Sequence, residues 1–328
     1  MVFVTGGTGF LGLHLLKELV DSGRHIRALK RRQAPVFLEK QVAEKIEWVE
    51  GDVLDIPSLE NGVRGCSELY HCAAKVSFQS KDRKTIREVN VEGTANVVNV
   101  ALHYNIRKLV HVSSVAAIAT ATNNLPVNES IIGEYPSSSY GISKYLAEQE
   151  VWRGAAEGLN AVIINPAIII GGGNWHEGTP QFFLNVWRGM PFYTSGGSGF
   201  VAVLDVVKLM VYLMESDIKN ERFIISAENW TYKDFLYLIA ELLKKKPPYI
   251  HLVPWLSEFI WRFEPIRATL FPDSPVISKE TARLSHQRQF FDSSKIKNVS
   301  GFSFTPIKLS IEGTCSQFME DLTNGKIK

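Results

Sequence analysis

Residues 2–12 read VFVTGGTGFLG, and this short stretch decides the fold. Three apolar residues, Val2 to Val4, predict a buried strand. The strand runs into Gly6, Gly9 and Gly12, spaced G-x-x-G-x-x-G, and then into the helical pattern LHLLKELVDSG. A strand–turn–helix unit of this kind brings backbone N–H groups and a helix N-terminus up to a pyrophosphate. Gly6 is expected to permit the tight turn, Gly9 to let the backbone approach the phosphates, and Gly12 to let the helix pack on the sheet. Glycine spacing alone is a weak signal. Its place between a strand and a helix is the context that a dinucleotide loop requires.

Outward from that loop the same alternation continues to about residue 166. Strand patterns recur at HIRAL (25–29), IEWVEGD (46–52), ELYHCAA (68–74), KLVHVSS (108–114) and AVIINP (161–166). Helical patterns cover about 84–103 and run from near Ser138 to about 157. Strands alternating with helices predict parallel β-α-β units with right-handed crossovers, hence an α/β fold with a doubly wound parallel sheet of the Rossmann type. Beyond Pro166 the texture changes. Residues 171–199 are glycine-rich with aromatics between, and 228–300 mix short helical patterns with Trp, Phe, Tyr and Pro. Residues 200–212 and 222–226 read as returns to the main sheet. The organisation expected is a dinucleotide-binding domain over 1–167, with returns near 200–226, and a smaller discontinuous C-terminal substrate lobe from 168–199 and 227–328.

Bulk properties agree with a globular enzyme. The 328 residues are 45% hydrophobic and 21% charged, with a formal net charge of +2, which does not suggest nucleic acid as a partner. Lys244-Lys245-Lys246 follows the helical pattern FLYLIAELL and is explained by the helix dipole. Cys66, Cys72 and Cys315 lack C-x-x-C or metal-ligand spacing, so no disulfide scaffold and no metal site are expected, and a reducing, cytoplasmic compartment is the simplest reading. Cys72, in a strand pattern, reads as a small core residue. The first strand begins at Val2, so no signal peptide is expected. The apolar stretch 251–271 carries Glu258, Arg262, Glu264 and Arg267, which argue against a spanning helix and leave an amphipathic one, facing a pocket or a membrane surface.

The chemistry lies in SSSYGISKYLAEQE, where Tyr140 and Lys144 stand at Tyr-x-x-x-Lys spacing on a predicted helix. Residues i and i+4 share a helix face, so Lys144 places a cation near the Tyr140 phenol. Such a neighbour favours phenolate and is expected to lower a pKa that starts near ~10. KLVHVSSVAA ends a strand in Ser113 and Ser114, where a hydroxyl can meet a carbonyl oxygen beside the tyrosine.

TGGTGFLG together with Tyr-x-x-x-Lys resembles the extended short-chain dehydrogenase/reductase superfamily, the NAD-dependent epimerase/dehydratase family. The resemblance implies Ser114, Tyr140 and Lys144 as catalytic residues, with Ser113 supporting, and Asn90 in VNVEGTANVV backing the site. It implies cofactor contacts at Gly6, Thr8, Gly9, Phe10, Leu11 and Gly12, at Asp52 and Val53 in GDVLD, at Ala73 and Ala74 in HCAA, at Tyr140 and Lys144, and at Pro166 beside the nicotinamide. Asp205 in FVAVLDVVKLM is expected to be structural. The sequence departs from the family at Ile118-Ala119, where many relatives carry Tyr-Gly, and lacks the usual arginine before Pro166.

NAD-binding members place a carboxylate at the end of the second strand, on the ribose hydroxyls. Here that end reads HIRALKRR, and Lys30, Arg31 and Arg32 suit a 2′-phosphate instead, so the expected cofactor is NADP(H). The approach SGGSGFVAVLD has no arginine to clamp a substrate diphosphate. Trp175, Phe182, Phe183, Trp187, Phe192 and Tyr193 suit an apolar or aromatic substrate, some of them as core. The pattern is similar to the dihydroflavonol 4-reductase and 3β-hydroxysteroid dehydrogenase group, which implies a reductase of a small carbonyl compound. The alternative is a sugar-nucleotide epimerase or dehydratase with retained NAD. The helices near 84–103 and 138–157 are expected to pair in a homodimer.

Overall fold

The computed structural model describes residues 1–31, 38–118, 125–130, 136–261 and 278–327, with the side chains of 258–260 excepted. Arg32, Ala119, Arg262, Glu264 and Arg267 lie outside the described residues, as do the Glu258 side chain and the second half of 251–271.

Twelve strands occur among the described residues: β1 (Val2–Thr5), β2 (Ile26–Lys30), β3 (Ile46–Glu50), β4 (Glu68–His71), β5 (Lys108–Val112), β6 (Ala161–Pro166), β7 (Ile168–Ile170), β8 (Phe192–Tyr193), β9 (Gly197–Ala202), β10 (Glu221–Ile225), β11 (Glu228–Thr231) and β12 (Ile250–His251). Seven form one sheet in the order β10-β6-β5-β4-β1-β2-β3, every pair parallel. The strand order reverses between β1 and β4, and open α/β sheets bind ligands at such a point, outside the carboxyl ends of the strands.

Both faces of the sheet are covered, as parallel sheets require. On one face Leu11, Leu15, Leu16 and Leu19 of the helix Phe10–Asp21 join Val206, Met210 and Leu213 of the helix Val203–Glu215 over Val2, Val4 and Ile164. On the other, Leu59, Val97, Val98 and Val151 pack on Phe3, Leu69, Leu109 and Ile163.

Residues 200–212 return to the main sheet only as a helix packed on its face. Gly197–Ala202 is the centre of a separate three-stranded sheet, β11-β9-β7, and residues 203–215 return as a helix. The stretch near 222–226 does return, as β10 beside β6. The strands expected to reach residues 52, 74 and 114 stop at Glu50, His71 and Val112, because their last residues turn into loops facing the crevice. Cys72 therefore sits half-buried just past β4, packed against the core of that face. The helical pattern 84–103 is interrupted by a π-helical turn, Glu88–Glu92, between Arg83–Arg87 and Gly93–His103.

The C-terminal part has its own aromatic core. Trp175 meets Phe318 edge-on at 5.0 Å, and Phe200 and Phe235 lie 4.8 Å apart. Trp175 and Phe183 are thus core residues rather than a pocket wall, while Phe192 is exposed. Asp205, buried, accepts from the Thr305 backbone N–H at 2.7 Å and from its hydroxyl at 2.9 Å, pinning the chain near Thr305 to the start of its helix. No helix among the described residues is long and apolar enough to cross a membrane.

Candidate active site

The glycine loop is built from steric necessity. Gly6 has φ +73°, the left-handed region, and a Cβ there would lie 2.4 Å from the Ala73 nitrogen. Gly9 donates its N–H to the Gly6 carbonyl at 3.0 Å and becomes the N-cap of the twelve-residue helix Phe10–Asp21. A Cβ on Gly12 would lie 2.1 Å from the Gly6 oxygen. Gly12 thus closes the turn on the loop's own backbone, which is a different reason from the sheet packing expected. No side chain caps this helix. Its first N–H groups and positive dipole end are left for an anion, so the cradle of Thr8, Gly9, Phe10 and Leu11 fits a dinucleotide pyrophosphate.

The residues expected at the adenosine end lie at the tips of β2 and β3. Arg31, Glu50, Gly51, Asp52 and Asp55 line a hollow of about 420 Å³. Asp52 accepts from the Leu54 N–H at 3.0 Å, and Val53 is buried against Gly93. Lys30 turns its ammonium over the Trp48 ring at 5.8 Å. Ala73 presses against Gly6, with Ala74 exposed beside it.

Ser138 caps the helix Ser139–Ala156 by accepting from the Gly141 N–H at 3.0 Å. Tyr140 and Lys144 follow one turn apart on its buried side. The Ser114 hydroxyl faces the Tyr140 phenol, and Lys144 donates to the Val112 carbonyl at 2.8 Å. The structure therefore brings Ser114, Tyr140 and Lys144 together at the carboxyl end of β5. Ser113 is turned away and donates to Glu148 at 2.5 Å. Pro166 ends β6, next to β5 in the sheet. Asn90, fully buried in the π-helical turn, holds both the N–H and the carbonyl of Lys75, at 2.7 and 3.0 Å, and reaches the Ser143 hydroxyl at 2.9 Å. It fixes the loop after β4 to the tyrosine helix.

The electrostatics differ from expectation. Burial pushes the Tyr140 phenol up to about 12 against the downward pull of the Ser114 hydroxyl. The shift is upward, opposite to what the spacing suggested, and the pull against it comes from Ser114 rather than from Lys144. Burial brings Lys144 down to about 8, with the Glu148 carboxylate pulling it back up.

Sequence reasoning missed Phe78, whose ring meets Tyr140 edge-on at 5.7 Å, and Glu148. Glu148 had a signal: Tyr140, Lys144 and Glu148 repeat at four-residue spacing along one helix face. No cluster of metal-ligating side chains occurs among the described residues.

A glycine cradle at the reversal of a doubly wound sheet, with serine, tyrosine and lysine at the neighbouring strand ends, defines the class as a dinucleotide-dependent α/β enzyme. The chain belongs to the NAD dependent epimerase/dehydratase family, whose model matches residues 2–226, and so to the extended short-chain dehydrogenases/reductases. It is 32% identical over 321 residues to the "Putative dihydroflavonol 4-reductase" of Synechocystis, covering 94% of this chain and 92% of that protein. It is 29% identical over 322 residues to "Sterol demethylase protein B" of Methylococcus capsulatus, covering 97% and 98%. The UDP-glucose 4-epimerase of Thermotoga maritima shares the fold, with TM-score 0.78 at 20% identity over 98% and 99% of the two chains. Family and relatives make this an oxidoreductase of the extended short-chain type, in a family that depends on NAD(P).

Proposed function

We propose that the protein is an NADPH-dependent reductase of a ketone or aldehyde on an apolar or aromatic small molecule. The observation that carries this is the meeting of Ser114, Tyr140 and Lys144 beside the glycine cradle. Ser114 orients the substrate carbonyl by a hydrogen bond. Tyr140, with its phenol held at about 12, keeps its proton at neutral pH and donates it to the developing alkoxide. That is the protonation state reduction needs. Lys144 holds the nicotinamide ribose, and Asn90 supports both by fixing the Lys75 loop. The reduced dinucleotide supplies the hydride when bound; the protein supplies position and electrostatics.

The phosphate preference rests on Arg31, which lines the adenosine hollow where relatives that use NAD place a carboxylate. Three carboxylates, Glu50, Asp52 and Asp55, share that hollow, so Arg31 carries the discrimination. The names of the relatives, a dihydroflavonol reductase and a sterol demethylase protein, support a bulky apolar substrate. A panel of carbonyl compounds, read by loss of NADPH absorbance, tests the activity. No turnover across flavonoid, sterol and simple aryl ketones would contradict it.

The second reading, favoured by the fold shared with a sugar-nucleotide epimerase, is an isomerase or dehydratase that keeps its NAD. A purified protein carrying tightly bound NAD and turning over a nucleotide sugar without net redox would establish that instead. We also propose a homodimer through the helices of residues 83–103 and 139–156, where Ile142 is 40% exposed. A monomer mass by light scattering at micromolar concentration would contradict it.

A further inference from the structure

We propose that Glu148 is a positioning residue: its carboxylate fixes the peptide that carries Ser114 and keeps Lys144 charged beneath Tyr140. The inference rests on the reductase reading only in taking Lys144 and Ser114 as working groups.

Glu148 is fully buried. One of its oxygens accepts from the Ser113 hydroxyl at 2.5 Å and from the Asn165 amide at 2.6 Å. The same Asn165 amide reaches the Ser114 carbonyl at 2.9 Å, so Ser114 is held on both sides of its peptide. The other oxygen takes Arg222 at 3.3 Å, and Arg222 donates onward to the Glu129 carbonyl at 2.8 Å. The ends of β5, β6 and β10 are thereby tied to the tyrosine helix.

An uncharged acceptor would serve Ser113 and Asn165 equally well. A charge is needed only by the cations, and Arg222 is 22% exposed to solvent, while Lys144 is buried. The other titratable groups facing this layer are His71 and His111 from β4 and β5, Cys72 and Tyr140. Burial holds His71 at about 3 and His111 well below its usual range, both neutral, and pushes Cys72 and Tyr140 up to about 12. Glu148 is the carboxylate among these groups that raises Lys144. Glu129 spends its own carboxylate on the Ile224 N–H at 2.7 Å.

The test is NADPH binding to the full chain, read by quenching of tryptophan fluorescence from neutral to alkaline pH. Wild-type affinity falls as Lys144 loses its proton near about 8. Glu148→Gln moves that fall to lower pH by about 1 unit, the scale of a nearby opposite charge. Arg222→Gln moves it to higher pH, because it removes a competing cation. Glu148→Asp, which keeps the charge, restores the wild-type position. A loss of structural support alone cannot give shifts of opposite sign. An unshifted fall in Glu148→Gln overturns the proposal, and if that variant does not fold, an unshifted fall in Arg222→Gln does so. A wild-type protein whose affinity does not fall at alkaline pH contradicts the role of Lys144, and with it the reading on which the inference rests.

Discussion

Two interiors stand side by side in this molecule. Under the tyrosine helix the sheet carries a polar layer: Thr5, His71, Thr94, His111, Ser113, Lys144, Glu148 and Asn165 are all buried. In the C-terminal part the interior is aromatic, with Trp175, Phe183, Phe200, Phe235 and Phe318 in contact. The polar layer is a network of specific partners. Thr5 meets His71 at 2.6 Å, and His71 meets Thr94 at 2.9 Å, which donates to the Asn90 carbonyl at 2.6 Å. Along this chain each group holds the next in one orientation, which suits the placement of reacting atoms, while the His111 ring is buried without a hydrogen-bond partner. Aromatic packing sets a shape and contributes mainly through apolar area, which suits a stable core. Damage to the first should therefore cost chemistry, and damage to the second should cost stability.

The sharpest way to separate them is Tyr140→Phe. It removes one hydroxyl from the polar side, so NADPH binding and thermal stability should persist while turnover falls ~10²–10⁴-fold, the scale of general acid catalysis. Near-wild-type turnover would erase the distinction. Trp175→Ala is the counterpart. The side chain is 2% exposed and donates to Asp321 at 3.0 Å, so its loss should lower unfolding free energy by about 3–5 kcal/mol in urea titration. NADPH affinity of the folded fraction should not change.

Arg31→Asp acts at the rim of neither interior. It should weaken NADPH by about 1.5–3 kcal/mol, the scale of a charge-assisted contact, and leave NADH little changed. Tighter NADH than NADPH binding in the wild type would contradict the cofactor reading.

The smallest effect concerns acid. His111 is held well below 6.5 by burial, so the unfolded chain takes up a proton first as pH falls. Stability from this group is complete above about 6.5 and is lost below it, by about 1.4 kcal/mol per pH unit. His111→Phe should flatten the fall of the urea midpoint between about pH 6.5 and about pH 5. An unchanged slope would show that His111 is protonated or solvated in the fold.

Short-range features made much of this legible from the chain. The glycine loop and the Tyr140–Lys144 pair are spacings within one turn and one helix, and local geometry follows directly from them. Gly12 was readable as a required glycine but not for its reason, because the clash with the Gly6 oxygen exists only once the turn is closed. The phenol's shift was unreadable in sign, since desolvation depends on what the whole fold places over Tyr140, including Phe78 from a distant loop. Residues 200–212 read as a return to the main sheet because they are apolar, and Val203–Glu215 does pack there, as a helix whose form the apolar run alone does not settle. The aromatics after Pro166 could not be divided into wall and core, because that depends on contacts such as Trp175 with Phe318.

The most direct test of the central claim is transfer of deuterium from 4-deuterated NADPH to an accepted carbonyl substrate, followed by mass spectrometry in wild type and Tyr140→Phe. The account predicts one deuterium on the product's carbinol carbon, with NADPH consumed one for one, and little or none from the variant. Isomerised substrate with no net loss of reduced cofactor would contradict it.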